Sequence, residues 1–357
     1  MKIGIITHHY IKNYGAFWQA YALQETLKKL FPNYDVYIIN YKNKKHFISN
    51  ARHFFIRKPY KCSLFKNIYL YIDGIKQFIG FTKFSKLLRL SKIMKSASDI
   101  NKNQFDIVVI GSDEVWNTDS VGADKIKFGI GLQAKKIVAY AASGGSVDAN
   151  SQVPNFVISG LKNFSSISVR DYSTESLVYK YLGFDPIIVL DPTLLTEIPF
   201  SIPIKYRKII NRNYILVYYA NLPDKHIKEI KKFAKDNDLI IVGAGHFEKW
   251  FDYSLIDINP LEWNYLFKKA KYVITGTFHG TIFSIIHSKL FCVYPTSSNR
   301  VKKVHSLLTQ LSLMERILDK QSNIIEVLNT PIDYSLVHSK LDEMRVLSLE
   351  FLKNSLM

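Results

Sequence analysis

Short runs rich in valine and isoleucine recur along this sequence, each bounded by glycine, serine or aspartate, with stretches between them whose apolar residues fall three and four apart. That alternation is what strands buried on both faces and joined by helical crossovers require, so it predicts parallel sheets covered by helices. Lys2–Thr7 reads as a strand, His8 to Tyr14 as a polar loop, and Ala16 to Leu30 as a helix with Phe17, Ala20, Leu23, Leu27 and Leu30 on one face. Asp35–Asn40 completes a βαβ unit. Asp106–Ile110, Lys136–Ala142, Ser166–Val169 and Pro186–Leu190 supply further strands, with a helix over Thr174–Tyr181.

The rhythm breaks between Thr196 and Asn213, around Pro199 and Pro203, and resumes with strands at Tyr214–Tyr219, Leu239–Val242, Tyr272–Thr275 and Leu290–Tyr294. Helices are expected between them at Asp224–Lys235, Leu261–Lys269 and Phe278–His287. A chain of 357 residues suits two domains. The expected organisation is therefore a doubly wound, Rossmann-like α/β domain over 1–198, a linker over 199–213, a second such domain over 214–330, and a helical tail over 331–357 that is a candidate to pack back across the boundary.

The formal charge of +18 is concentrated. Fourteen Lys or Arg lie between Lys42 and Lys95 against one acid, Asp73. Phe54, Phe55, Phe65, Tyr69, Tyr71, Phe78, Phe81 and Phe84 lie among them, so 42–98 is expected to be a basic, aromatic-rich helical insertion in the first domain. Such a mixture suits amphipathic helices near anionic lipid or an anionic ligand; it also suits a solvated insertion. No nucleic-acid-binding motif accompanies it, and nucleic acid is not an expected partner. Cys62 and Cys292 stand alone, outside any metal-ligand or disulfide spacing, which fits a reducing cytosol and no structural zinc. The apolar start turns polar at His8-His9, and no apolar run approaches the thickness of a bilayer, so neither export by a signal peptide nor a membrane span is expected.

In open α/β sheets ligands bind beyond the carboxyl ends of strands, which selects four loops. The His8–Gly15 loop opens a helix whose start can face an anion, with Asn13, Tyr14, Gly15 and, one turn on, Gln19 as candidates. Gly111-Ser112-Asp113 ends the apolar run Ile107–Ile110; Asp113 is either a general base for a hydroxyl or a helix cap. Ser168-Val169-Arg170-Asp171 delivers Arg170, which can bind a carboxylate in bidentate fashion or pair with Asp171 or Asp191. Thr275-Gly276-Thr277-Phe278-His279-Gly280 opens a helix with Thr277 as its cap, Gly280 admitting a ligand and His279 able to carry protons near neutrality. Arg300 and Lys303 follow on the same edge.

Together, Asn13-Tyr14-Gly15-Ala16 with Gln19-Ala20-Tyr21-Ala22-Leu23, Gly111–Asn117, Ser168–Asp171, Asp191-Pro192-Thr193-Leu194 and Thr275–Gly280 resemble, in order and spacing, the polysaccharide pyruvyl transferase family from about Lys2 to about Leu318. The resemblance implies two Rossmann-like domains facing a cleft, as in B-type glycosyltransferases, and transfer of pyruvate from phosphoenolpyruvate to a sugar or lipid-linked oligosaccharide as a ketal. It implies no metal and no dissociable cofactor, His279 as acid/base residue, and Arg170 as the strand-end arginine. Phe278, Gly111 and Ser112 join the substrate-binding set with the motifs that contain them. Two departures stand out. Thr277 occupies a place where some members have Arg, which moves donor-anion binding toward Arg300 or Lys303, and Glu114 stands where Gln is usual. A nucleotide-sugar glycosyltransferase and a non-catalytic glycan- or membrane-surface protein remain as rival readings. The expected location is the cytoplasm, with 42–95 against the anionic inner leaflet.

Overall fold

The computed structural model describes residues 1–55, 63–295 and 298–357, without the side chains of His53, Ser298, Asn299 and Arg300. Cys62 thus lies outside the described residues. The chain divides into two compact units, neither a single stretch of sequence: Met1–Ala51, Ser85–Glu197 and Ser339–Met357 form one, Arg52–Phe84 and Ile198–His338 the other.

The first unit is built on a sheet of β1 (Lys2–Ile6), β2 (Asp35–Tyr41), β3 (Leu90–Met94), β4 (Ile107–Asp113), β5 (Lys136–Ala142), β6 (Ser166–Val169) and β7 (Ile187–Ile188). All neighbours pair in parallel in the order β3-β2-β1-β4-β5-β6-β7. The order reverses between β1 and β4, so the helices leaving those two strands go to opposite faces and open a crevice at their carboxyl ends. Val and Ile dominate the central strands because both faces are covered: Ile3, Ile5, Val108, Val109, Ile110, Val138 and Ala139 are buried. The helix Tyr14–Leu30 begins where Asn13 accepts the Ala16 N–H at 3.1 Å and carries Lys28 and Lys29 in its last turn, a cap and a charge bias that suit its dipole.

The second unit carries β8 (Tyr214–Tyr218), β9 (Ile240–Ala244), β10 (Tyr253–Leu255), β11 (Tyr272–Thr275) and β12 (Leu290–Val293) in the order β10-β9-β8-β11-β12, again all parallel. Its reversal lies between β8 and β11. The α/β fold expected from the alternation is the fold observed.

One expectation about the chain's division needs correction. The basic segment is not one helical insertion in the first unit: it contains the helices Lys44–Phe55 and Leu64–Phe84 and then β3, an edge strand paired to β2, and Arg52–Phe84 belongs to the second unit. Burial explains the membership. Leu70 of the second helix packs with Phe247 and Ile256, and Gln77 donates to the Gly245 carbonyl at 3.2 Å. The tail helix Tyr334–Leu356 runs into the first unit from Ser339 onward. There the Leu190 N–H donates to Ser348 Oγ at 3.0 Å, Arg345 Nε donates to the Leu194 carbonyl at 2.7 Å, and Phe351 lies 6.3 Å from the Tyr140 ring.

Candidate active site

In the first unit the last residues of β4 adopt a backbone that only small or tolerant residues allow. Gly111 has φ +130°, and a Cβ there would meet the Tyr140 carbonyl oxygen at 2.0 Å. Asp113 follows at φ +77°, a conformation aspartate tolerates better than most residues. This geometry turns the Asp113 carboxylate toward Arg170 and His8. Arg170 Nη2 donates to its Oδ1 at 3.4 Å, and His8 Nδ1 lies 4.0 Å from its Oδ2.

Arg170 itself is buried, with Nη1 donating to Asp191 Oδ2 at 2.6 Å. Burial works against its charge, but Asp191 and then Asp113 outweigh that and hold its pKa above the ordinary value. The guanidinium is thus the clamp between two carboxylates, and of the two readings of Arg170 pairing is the one observed, with Asp191 and Asp113 as partners. Asp171 is engaged elsewhere: it accepts the Thr174 N–H as the cap of the helix Tyr172–Leu182 and the Ser143 hydroxyl at 2.6 Å.

Several candidates turn out to be structural. Gln19 is fully buried, its amide donating to Thr7 Oγ1 at 2.9 Å and to the Ala16 carbonyl at 2.8 Å. Ser112 is fully buried; its hydroxyl donates to Asp191 at 3.3 Å and its carbonyl accepts from Thr7 Oγ1 at 3.1 Å. Tyr14 and Gly15 are buried at the helix start and Asn13 is its cap. These residues secure the chain where β1 and β4 end. Glu114 accepts from Asn117 Nδ2 at 3.0 Å, a bond that a glutamine can accept equally, so the departure at this position adds a charge without changing the contact.

The same edge holds groups that the motifs did not announce. Lys127, almost fully buried, donates to His8 Nε2 at 2.7 Å and to the Gly122 carbonyl at 2.8 Å. Burial lowers its pKa to about 8 against the pull of Asp124 and Asp113. Burial, with Lys127 beside it, lowers that of His8 well below the ordinary value, so His8 is neutral at physiological pH. The ring of His46 stands 5.0 Å from that of His8, and burial brings its pKa to about 4. Lys127 sits on a short turn, Lys125–Phe128, capped by Asp124, and Trp116 Nε1 donates to its carbonyl at 2.9 Å. Trp116 of the Gly111–Asn117 motif thus touches this turn, but no motif in the sequence singles out Lys127.

In the second unit the loop after β11 opens the helix Phe278–Ile286. Thr277 is its cap, accepting the Gly280 N–H at 3.0 Å, and Thr275 Oγ1 donates to the Tyr218 carbonyl at 3.0 Å. A Cβ at Gly280 would lie 2.1 Å from Thr275 Oγ1. The glycine therefore serves the packing of the turn. His279 is half-buried on the first turn, beside the buried Phe278 at 5.5 Å between rings. Across the order reversal, Tyr219 at φ +47° stacks on His246 at 4.4 Å. Lys303, on the helix Ser298–Gln310, is buried and not a surface cation; the Arg300 side chain lies outside the described residues.

The two edges present a carboxylate clamped by arginine and flanked by a neutral histidine, and, separately, a capped helix start carrying a histidine. The model of the family described as polysaccharide pyruvyl transferase matches residues 13–298, a span that contains Asp113, Arg170 and His279 and begins after His8. The chain belongs to that family. Among curated proteins no sequence match is significant. Similar solved structures include S. aureus MnaA with UDP (11% identity, TM-score 0.47, covering 98% of this chain and 90% of that one) and the glycosyltransferase SnogD from Streptomyces nogalater (13%, 0.45, 98% and 95%). Arabidopsis thaliana UGT89C1 is similar at 9% identity and a TM-score of 0.45, with 99% and 93% covered. Likenesses that distant carry no inference about this pyruvyl transferase family member's chemistry. Among the described residues no group of His, Cys, Asp and Glu is arranged to hold a metal ion, and no helix is long and apolar enough to cross a membrane.

Proposed function

We propose that this protein transfers the pyruvyl unit of phosphoenolpyruvate to a pair of hydroxyls on a surface polysaccharide or lipid-linked oligosaccharide, closing a pyruvate ketal and releasing inorganic phosphate. The observation that carries the reading is His279 on the first turn of a helix capped by Thr277, inside the Thr275–Gly280 motif by which the sequence resembles the family. The N–H groups and dipole of that helix start favour the donor's phosphate or carboxylate.

Protonated His279 gives its proton to the methylene carbon of phosphoenolpyruvate, and C2 becomes electrophilic. One sugar hydroxyl adds to C2 as its proton passes to the Asp113 carboxylate. A neighbouring hydroxyl then displaces phosphate from C2, its proton returning to His279, and the proton held by Asp113 leaves with the inorganic phosphate. The scheme needs no dissociable cofactor.

The test is thermal stability of the purified protein with phosphoenolpyruvate and with a panel of nucleotide sugars, since a ligand bound by the folded state raises the melting temperature. A shift with phosphoenolpyruvate, together with phosphate release that falls roughly a hundredfold or more in His279→Gln, is the expected result. Wild-type turnover in His279→Gln would sink the role of that residue. A shift with a nucleotide sugar alone would move the protein to sugar transfer.

We also infer a cytoplasmic protein that rests on an anionic membrane surface. On the helix Leu64–Phe84, Leu70, Gly74, Gln77 and Phe81 are buried, while Leu64 (74%), Phe65 (77%), Ile68 (48%) and Tyr69 (69%) are exposed on another face. That face stands within the segment of fourteen cations and one acid, a combination suited to anionic lipid. Co-flotation with anionic liposomes, reduced in Phe65→Glu and absent with zwitterionic ones, is expected; no flotation at low salt would return the segment to a solvated face.

A further inference from the structure

Beyond Asp113, the edge formed by β1 and β4 contains a hydrogen-bonding device that the proposed reaction has not yet used. A lysine ammonium has only protons to give, so the 2.7 Å contact makes His8 Nε2 the acceptor and places the proton of the neutral ring on Nδ1. His8 Nδ1 is the nitrogen that faces Asp113 Oδ2, at 4.0 Å. That separation is too long for a direct hydrogen bond, and a single hydroxyl oxygen can span it, accepting from one side and donating to the other. Asp113 is the open member of the group: its side chain is 16% exposed, that of His8 8% and that of Arg170 2%.

We propose that His8 Nδ1–H and Asp113 Oδ2 form a clip for one hydroxyl of the acceptor sugar, and that Lys127 is the positioning residue that holds His8 in the tautomer the clip needs. The clip deepens the pyruvyl-transfer reading and rests on it for the identity of the acceptor. The hydroxyl's oxygen accepts from His8 while its proton points at Asp113, the group to which it is lost on addition to C2. Arg170 keeps Asp113 ionised and in place through Oδ1, so that Oδ2 meets the hydroxyl as a carboxylate oxygen. The groups around His8 are Lys127 from the turn Lys125–Phe128, Asp113 from β4, His46 from the helix Lys44–Phe55, and His9 and Tyr10 beside it in the loop; the two histidines are neutral at pH 7, and the tyrosine is far from ionising. Lys127 alone among these groups makes a short hydrogen bond to the ring.

The experiment is a long-range proton–nitrogen spectrum of the full chain with labelled histidine at pH 7, the His8 signals assigned by their loss in His8→Gln. The expected pattern is a protonated Nδ1 and an unprotonated Nε2. Lys127→Met, which keeps length and loses the donor, should move population to the Nε2–H tautomer, and Lys127→Gln, whose amide can still donate, should restore it. A wild-type His8 protonated on Nε2, or a tautomer unmoved in a folded Lys127→Met, overturns the role of Lys127. Methyl hexopyranosides added to the wild-type sample should shift the Nδ1 signal; a panel that shifts it in no case overturns the clip, whichever tautomer is found. The phosphoenolpyruvate melting shift is read separately, so a protein that responds to glycosides at His8 but not to phosphoenolpyruvate loses the donor assignment and keeps the clip.

Discussion

Gly280 shows how little room a single position leaves. A methyl group there meets Thr275 Oγ1 at 2.1 Å and Thr277 Oγ1 at 2.8 Å, the two hydroxyls that fix the turn before the His279 helix. Gly280→Ala should therefore destabilise the protein by about 1–3 kcal/mol, the range of overpacked sites, and abolish the phosphoenolpyruvate melting shift. Gly183, at φ +75° with nothing within 4 Å of a built Cβ, is the control: Gly183→Ala strains only its own backbone, and urea titration of the two variants should separate them, with the donor response intact in the control. At this scale the sequence was legible where one residue's chemistry is local. Thr277 as a cap followed from its type and the helix beyond it. Arg170 was not decidable, because Asp171 next to it is turned away into a cap while Asp191 and Asp113, distant in sequence, take its guanidinium. Lys127 was invisible for the same reason: its partner His8 lies more than a hundred residues away.

Among elements, the strands in the middle of each sheet were readable because burial on both faces leaves an uninterrupted apolar run, as in Ile107–Ile110 and Tyr272–Thr275. Edge strands lack that constraint. In β3, Leu-Ser-Lys-Ile-Met, Ile93 is 70% exposed, so neither alternation nor an apolar run marks it inside a Lys-rich segment. β10 is three residues long and begins with an exposed tyrosine. The tail helix was readable as a helix but its seat was not, since Ser348 and Arg345 act through one backbone amide and one carbonyl of the Leu190–Leu194 turn. Ser348→Ala leaves the buried Leu190 N–H without that acceptor, beside the Asp191 that pairs with Arg170, and should cost about 1–3 kcal/mol. Guanidinium unfolding followed by a probe in each unit checks it; a transition that moves only for the second unit would contradict the tail's assignment.

For the molecule as a whole, buried neutral histidines set the response to acid. His9 and His246 have pKa values brought by burial from the ordinary 6.5 to about 4. Below 6.5 the unfolded chain takes up protons that these folded sites refuse, so the stability they allow is complete above that pH and declines as the pH falls toward about 4. The decline approaches about 3 kcal/mol for each by the lower limit. Urea midpoints at several pH values between 7 and 4.5 should fall accordingly, and His246→Phe, which keeps a ring against Tyr219 without a proton to bind, should flatten the curve. The interleaving of the two units has a consequence in time. On the ribosome, Ser85–Glu197 emerges long before Ser339–Met357, and the intervening residues 198–338 take on the order of ten seconds to make at typical synthesis rates. Through that interval the Leu190–Leu194 turn waits without the helix that seats it, although every strand of its own sheet has already been made.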